Sequence, residues 1–274
     1  MFRGQSGRAA QILIRRTSAA IFGIRKFGIA HALRYLCRTK TPETDSAVSR
    51  SRKNEPTMKK AALFDMDGTL VDNTPAHIRA FSIFCDRYGV TDWAEKLSGV
   101  YGMGNDDIMG RILPEEVIRE KGLAALAAEK EAIYREIYAP EIRPVEGLRE
   151  LLGRLRTAGV RCAVGSSGCR ANVDFVLEKC GIGDFFDARI SGDTVTRCKP
   201  DPEIYLRAAA ALGADPADCV VFEDALAGIE AARRAGAGRI VALATTLTRE
   251  QLLAEGGADA VVGSFAEVTD ADLN

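Results

Sequence analysis

Short apolar runs, each ending against polar residues and separated from the next by helix-length stretches, constrain this chain more than any other feature. They are AALF (61–64), VRCAV (160–164), CVVF (219–222), RIVALA (239–244) and the segment 259–262. Runs this short, with so little alternation, are what strands buried on both faces look like, and strands alternating with helical patterns build a parallel sheet. The expected fold class is therefore α/β, a Rossmann-like parallel sheet flanked by helices. In an open sheet of that kind the carboxyl ends of neighbouring strands line one crevice, where ligands bind. The residues following three of the runs are chemically pointed: Asp65 with Asp67, Ser166 with Ser167, and Glu223 with Asp224. Groups far apart in sequence should converge there.

Residues 75–140 have a different texture, with helical periodicity and no strand-like run. Pro75 suits a first helical turn, and Pro140 with Pro144 closes the region. The spacing predicts an α-helical cap over 74–143, inserted into a core made of 58–73 and 144–274. Because the chain leaves directly after Asp72 and returns near Pro144, the cap should cover the crevice and hinge at 72–73 and 143–144.

Of 37 basic and 38 acidic residues, residues 1–57 hold 12 and 3, which leaves 25 and 35, a net charge of −10, for residues 58–274. Such a body should not seek nucleic acid or an anionic membrane, since basic surfaces supply most of that attraction. A small substrate or a metal fits better, and a monomer is expected. The seven cysteines show no paired spacing, which suits a reducing compartment, and the cytoplasm is the expected location. His31 and His77 are the only histidines, so metal chemistry would fall to carboxylates rather than a Cys/His zinc site. No apolar stretch reaches the roughly 18 residues a membrane span needs. The basic segment 1–40, with apolar residues interleaved, reads as an organelle transit segment, as a functional arm, or as a dispensable extension ahead of an alternative start at Met58. Residues 41–57 read as a linker.

FDMDGTLVD (64–72) sets two carboxylates two residues apart just past a buried run. Like charges so placed call for a cation, a proton or a reaction between them. An ordinary Asx turn would account for Asp67 and Gly68 alone, but not for matching chemistry at three other positions. DMDGTL resembles the first motif of the haloacid dehalogenase superfamily. VGSSG (164–168), RCKPDP (197–202) and VVFEDALAGIEAARRAG (220–236) resemble its second, third and fourth motifs, in family order.

The resemblance implies that Asp65 is the nucleophile and Asp67 the acid/base. It also implies that Ser166 holds phosphate by its hydroxyl, with Ser167 as a further donor, and that Lys199 fixes phosphate and offsets the carboxylates. These roles are physically coherent. A carboxylate can accept a phosphoryl group and split one hard displacement into two easier ones, and a second acid can protonate the leaving oxygen and later activate water. Gly68 and Thr69 permit a tight turn, and their backbone N–H groups are expected to face phosphate oxygens. Mg²⁺ prefers a few carboxylate oxygens plus phosphate and water, so its expected ligands are Asp65, the carbonyl of Asp67 and Asp224, with Glu223 beside them.

DMDGTLVDNTPAHIRAF is similar to the β-phosphoglucomutase-like branch, including His77 at the offset where that mutase carries a histidine near its acid/base. A helix-start histidine with no role is the competing reading. The mutase's cap Arg and Lys align with Asn105 and Tyr101, which would weaken the grip on a second phosphate. The expectation is a Mg²⁺-dependent phosphomonoesterase acting on a small sugar or polyol phosphate through an aspartyl phosphate. A phosphosugar mutase is the first alternative, and a catalytically silent binding module is the alternative from another class. A phosphonate hydrolase would need a cap lysine as a Schiff base, and Lys96 has no motif context for that role.

Overall fold

The computed structural model describes residues 59–97 and 105–274, with side chains from 108 onward in the second stretch. The expectations for residues 1–57, for Tyr101 and for the Asn105 side chain lie outside the described residues.

Six parallel strands form one sheet: β1 (Ala61–Phe64), β2 (Arg161–Gly165), β3 (Ala188–Ile190), β4 (Cys219–Glu223), β5 (Arg239–Leu243) and β6 (Ala260–Val262). Their order is β3-β2-β1-β4-β5-β6, so the direction of winding reverses between β1 and β4. The period-2 rule of strands shows directly in the core. Ala62, Phe64, Cys162, Val164, Val220 and Phe222 pack into one apolar layer, while Ala61, Leu63, Ala163, Cys219 and Val221 pack into the other. Phe64 and Phe222 stack at 4.7 Å between ring centroids, and Phe265 closes over both.

Between β1 and residue 143 the described residues form five helices: α1 (Thr74–Arg87), α2 (Trp93–Lys96), α3 (Asn105–Ile112), α4 (Glu115–Lys121) and α5 (Leu123–Tyr138). This is the inserted helical cap. Helix α6 (Leu148–Thr157) leads into β2, α7 (Arg170–Lys179) follows it, and α8 (Glu203–Ala211) and α9 (Leu226–Ala235) cover the other layer. Helix α9 ends as its sequence implies, with Gly236 left-handed at φ 81°. β3 was not expected: it is a three-residue, half-buried edge strand beginning after Asp187, with an arginine at its centre. No helix among the described residues is long and apolar enough to cross a membrane.

Candidate active site

Register places the first carboxylates. Phe64 pairs with Phe222, so Asp65 lies level with Glu223, and its N–H donates to the Phe222 carbonyl at 3.0 Å. In-register residues of parallel strands project to the same side, which sets the two acids next to each other. Lys199 resolves that conflict. Its Nζ lies 2.5 Å from Asp65 Oδ1 and 2.6 Å from Glu223 Oε1, and all three side chains are buried. Glu223 is committed further, since it accepts from Tyr205 at 2.8 Å and from the N–H groups of Asp224 and Ala225.

Asp65, Glu223 and Asp224 each offer an oxygen within 4.8 Å of the others. One ammonium among three buried carboxylates leaves net negative charge, and the acids respond accordingly. Burial, followed by Glu223, pushes Asp224 up to about 8, against the Thr246 hydroxyl, Lys199 and Thr69. Burial likewise holds Asp65 well above the usual carboxylate range despite Lys199. Burial works against the Lys199 charge too, but Asp65 and Glu223 outweigh it and keep the ammonium protonated. A further cation would relieve the excess, and the all-oxygen donor set suits a hard divalent ion such as Mg²⁺.

Asp67 faces elsewhere. Its Oδ1 accepts from Asn73 Nδ2 at 2.5 Å and lies 3.6 Å from His77 Nε2, while its Oδ2 is 3.4 Å from the Ser166 hydroxyl. Burial pushes this carboxyl up, but His77, Asn73 and Lys130 outweigh it, and Asp67 sits below its ordinary value. Two acids two residues apart thus occupy opposite electrostatic environments, one facing the carboxylate cluster and the other facing the cap.

The turn that follows Asp67 departs from one expectation. Gly68 N–H donates to the Val71 carbonyl at 2.8 Å and Thr69 N–H to that of Met66 at 3.2 Å, so neither is left for a phosphate. Gly68 matters for space instead. At φ 84°, a Cβ there would lie 2.1 Å from Asp224 Oδ2. Ser166 is fully buried, with its Oγ accepting the Gly168 N–H at 2.9 Å, and Ser167 Oγ is buried with no partner among the described residues.

Residues 59–236 match the family of haloacid dehalogenase-like hydrolases. The chain belongs to that family. A phosphorylated carbohydrates phosphatase of Thermotoga maritima is 31% identical over 206 residues, covering 74% of this chain and 94% of that protein. A fructose-1-phosphate phosphatase of Escherichia coli is 33% identical over 177 residues, covering 64% and 91%. A crystal structure of CbbY from Rhodobacter sphaeroides with xylulose-1,5-bisphosphate is 29% identical, covers 79% of this chain and 100% of that one, and superposes with a TM-score of 0.67. This haloacid dehalogenase-like hydrolase is thus an enzyme of the phosphatase type, similar to members of the sugar-phosphatase branch.

Several site residues of this family member escaped the sequence reading. Asn73 also donates to the Tyr134 hydroxyl at 2.7 Å, and Tyr134 stacks on the His77 ring at 3.9 Å. Lys130, buried on α5, lies 2.9 Å from both His77 Nδ1 and Glu131 Oε1, with Phe81 beneath its ammonium. A cap cation therefore does approach the site, from α5 rather than from the position of Asn105. One signal was present: Leu126, Lys130, Tyr134 and Tyr138 recur every four residues, which puts the lysine on the buried face of α5.

Proposed function

We propose that this hydrolase is a Mg²⁺-dependent phosphomonoesterase acting on a small sugar or polyol phosphate through a phosphorylated Asp65. The observation that carries the reading is the division of labour between two carboxylates: Asp65 is held by Lys199 beside Glu223 and Asp224, and Asp67 is held apart by Asn73, His77 and Ser166.

Asp65, the carbonyl of Asp67 and Asp224 would hold the ion, with Glu223 anchoring Lys199. When bound, the ion offsets negative charge on the phosphoryl oxygens. Asp65 attacks phosphorus in line, the bond from phosphorus to the ester oxygen breaks, and Asp67, ionised in the resting site, takes up the proton of the monoanionic ester as it binds and passes that proton to the departing alcohol. Asp67, now ionised, takes a proton from water as the water attacks phosphorus, and the Asp65–phosphorus bond breaks to release phosphate. Lys199 and Ser166 orient the phosphoryl group throughout. We take residues 74–143 as the cap, hinged at 72–73 and 143–144, so that closure excludes bulk water. The buried thiols Cys85, Cys162, Cys180 and Cys219 are free, which supports a reducing compartment, and we place the protein in the cytoplasm unless residues 1–57 direct it to an organelle.

The phosphosugar mutase reading draws on His77, which stands within 3.6 Å of Asp67. Phosphate release from a panel of sugar phosphates, with Mg²⁺ and with EDTA, decides among the readings. Metal-dependent release that disappears in Asp65→Asn supports the phosphatase. Isomerisation of β-glucose 1-phosphate only with added glucose bisphosphate overturns it in favour of the mutase. No turnover on any substrate overturns it in favour of a binding module.

A further inference from the structure

Asn172 is polar, 1% exposed and not part of the carboxylate cluster. It lies in the first turn of α7, the helix that starts just past Ser166–Gly168. Both ends of its amide are spent on one partner element. Nδ2 donates to Glu131 Oε2 at 2.7 Å, and Oδ1 accepts from Arg135 at 2.7 Å. Glu131 and Arg135 are one turn apart on α5, so they present an acceptor and a donor on the same helix face. The two-headed amide answers both at once from two separate atoms, whereas a carboxylate cannot donate, an apolar side chain can do neither, and a hydroxyl would have to serve both partners from a single oxygen.

The same helix reaches the acid/base. From α5, Lys130 meets His77 and Tyr134 meets Asn73, and His77 and Asn73 are the groups flanking Asp67 Oδ1. Glu131 joins the two sets, since its Oε1 accepts from Lys130 while its Oε2 accepts from Asn172. Swinging the cap away would strip Glu131 and Arg135 from Asn172 together. Buried polar groups are costly when unpaired, so the seam is stable in its joined form and specifies one seating of α5.

We propose that Asn172 is a positioning residue that seats α5 on α7, so that Asn73 and His77 orient Asp67 for proton transfer. The inference rests on the phosphatase reading, and its scope is narrow: Asn172 should govern the step that needs Asp67 as an acid, not the holding of phosphate.

The test compares two esters in the wild-type protein, Asn172→Ala and Asn172→Asp, following leaving-group release in the first turnover with Mg²⁺ present. An alkyl sugar phosphate needs its departing oxygen protonated, whereas p-nitrophenyl phosphate does not. With the sugar phosphate, both variants should release the alcohol more slowly, by roughly ten- to a hundredfold, the factor one hydrogen bond to a charged partner is worth. Release of p-nitrophenol should stay within about threefold, with KM for either ester little changed, because the groups expected to hold phosphate are untouched. Asn172→Asp sets a carboxylate against Glu131, and the double variant Asn172→Asp with Glu131→Gln restores a donor opposite it. Recovery of sugar phosphate turnover in the double variant supports the seam. Equal losses on both esters, unchanged rates on both, or no recovery would overturn the role of Asn172. If wild-type protein releases neither leaving group, the phosphatase reading fails first.

Discussion

Lys199 stands between two buried carboxylates, 2.5 Å from Asp65 and 2.6 Å from Glu223. Truncating it to Met should cost about 3–5 kcal/mol of stability, the usual result when one partner of a buried pair is removed, and should abolish turnover. Denaturant midpoints of Lys199→Met against wild type measure the first effect. Asp67→Asn keeps the size of the side chain and removes the proton-transfer group. A loss of about 10²–10⁴ in kcat is expected with an alkyl phosphate, and a much smaller first-turnover loss with an aryl phosphate. Gly68→Ala is subtler, since the new methyl would enter the space of Asp224 Oδ2 and Thr246 Oγ1 from a left-handed backbone. Its expected signature is weaker Mg²⁺ binding by calorimetry, together with a loss of about 1–3 kcal/mol of stability.

At the scale of elements, α9 begins against the carboxylate of Glu223, and a Cβ on Gly228 would lie 1.6 Å from Glu223 Oε1. Helix propensity favours alanine over glycine by about 1 kcal/mol, yet Gly228→Ala should destabilise, because contact overrides propensity here. Thermal unfolding decides the sign. Legibility from the sequence also divides by element. AALF maps onto β1 without change, and the runs at 160–164, 219–222, 239–244 and 259–262 fall within a residue of their strands at each end. β3 stayed hidden because an edge strand of three residues, half-buried and carrying Arg189, leaves no apolar run. The strand-end residues Asp65, Ser166, Glu223 and Asp224 were legible because register carries them to one crevice. Lys130, Glu131 and Asn172 were not, because helix periodicity scores charged and amide side chains as solvent-facing, and Asn73, ahead of the first turn of α1, was read only as part of a hinge. Only the four-residue recurrence on α5 hinted otherwise. The backbone hydrogen bonds that occupy Gly68 and Thr69 depend on φ and ψ through the turn, which the letters DGT do not specify.

The whole molecule should carry the charge excess of the site as a pH dependence. Asp224 is pushed up to about 8 in the folded, metal-free protein, while in the unfolded chain it titrates near its ordinary value. The folded state then binds the extra proton, so metal-free stability falls as pH rises from about 4 to about 8 and levels off above that. Mg²⁺ should reverse the trend, giving a larger rise in Tm at pH 8.5 than at pH 5.5 and releasing protons on binding near neutral pH. Melting curves in EDTA and in Mg²⁺ across that range test it, and a flat difference between them would contradict the carboxylate site.

The groups that meet at this crevice lie far apart along the chain: 134 residues separate Asp65 from Lys199, and 155 separate Thr69 from Asp224. No hairpin, helix or isolated fragment can assemble them, because β1 and β4 become neighbours only once the intervening chain has wound out through β3 and back. Binding of ion or phosphate is therefore a report on global folding. Each tenfold excess of ligand over its Kd adds about 1.4 kcal/mol to the native state, and a lesion in the central strands should surface as lost affinity, even where the crevice itself is untouched, once it leaves a sizeable fraction of the chain unfolded.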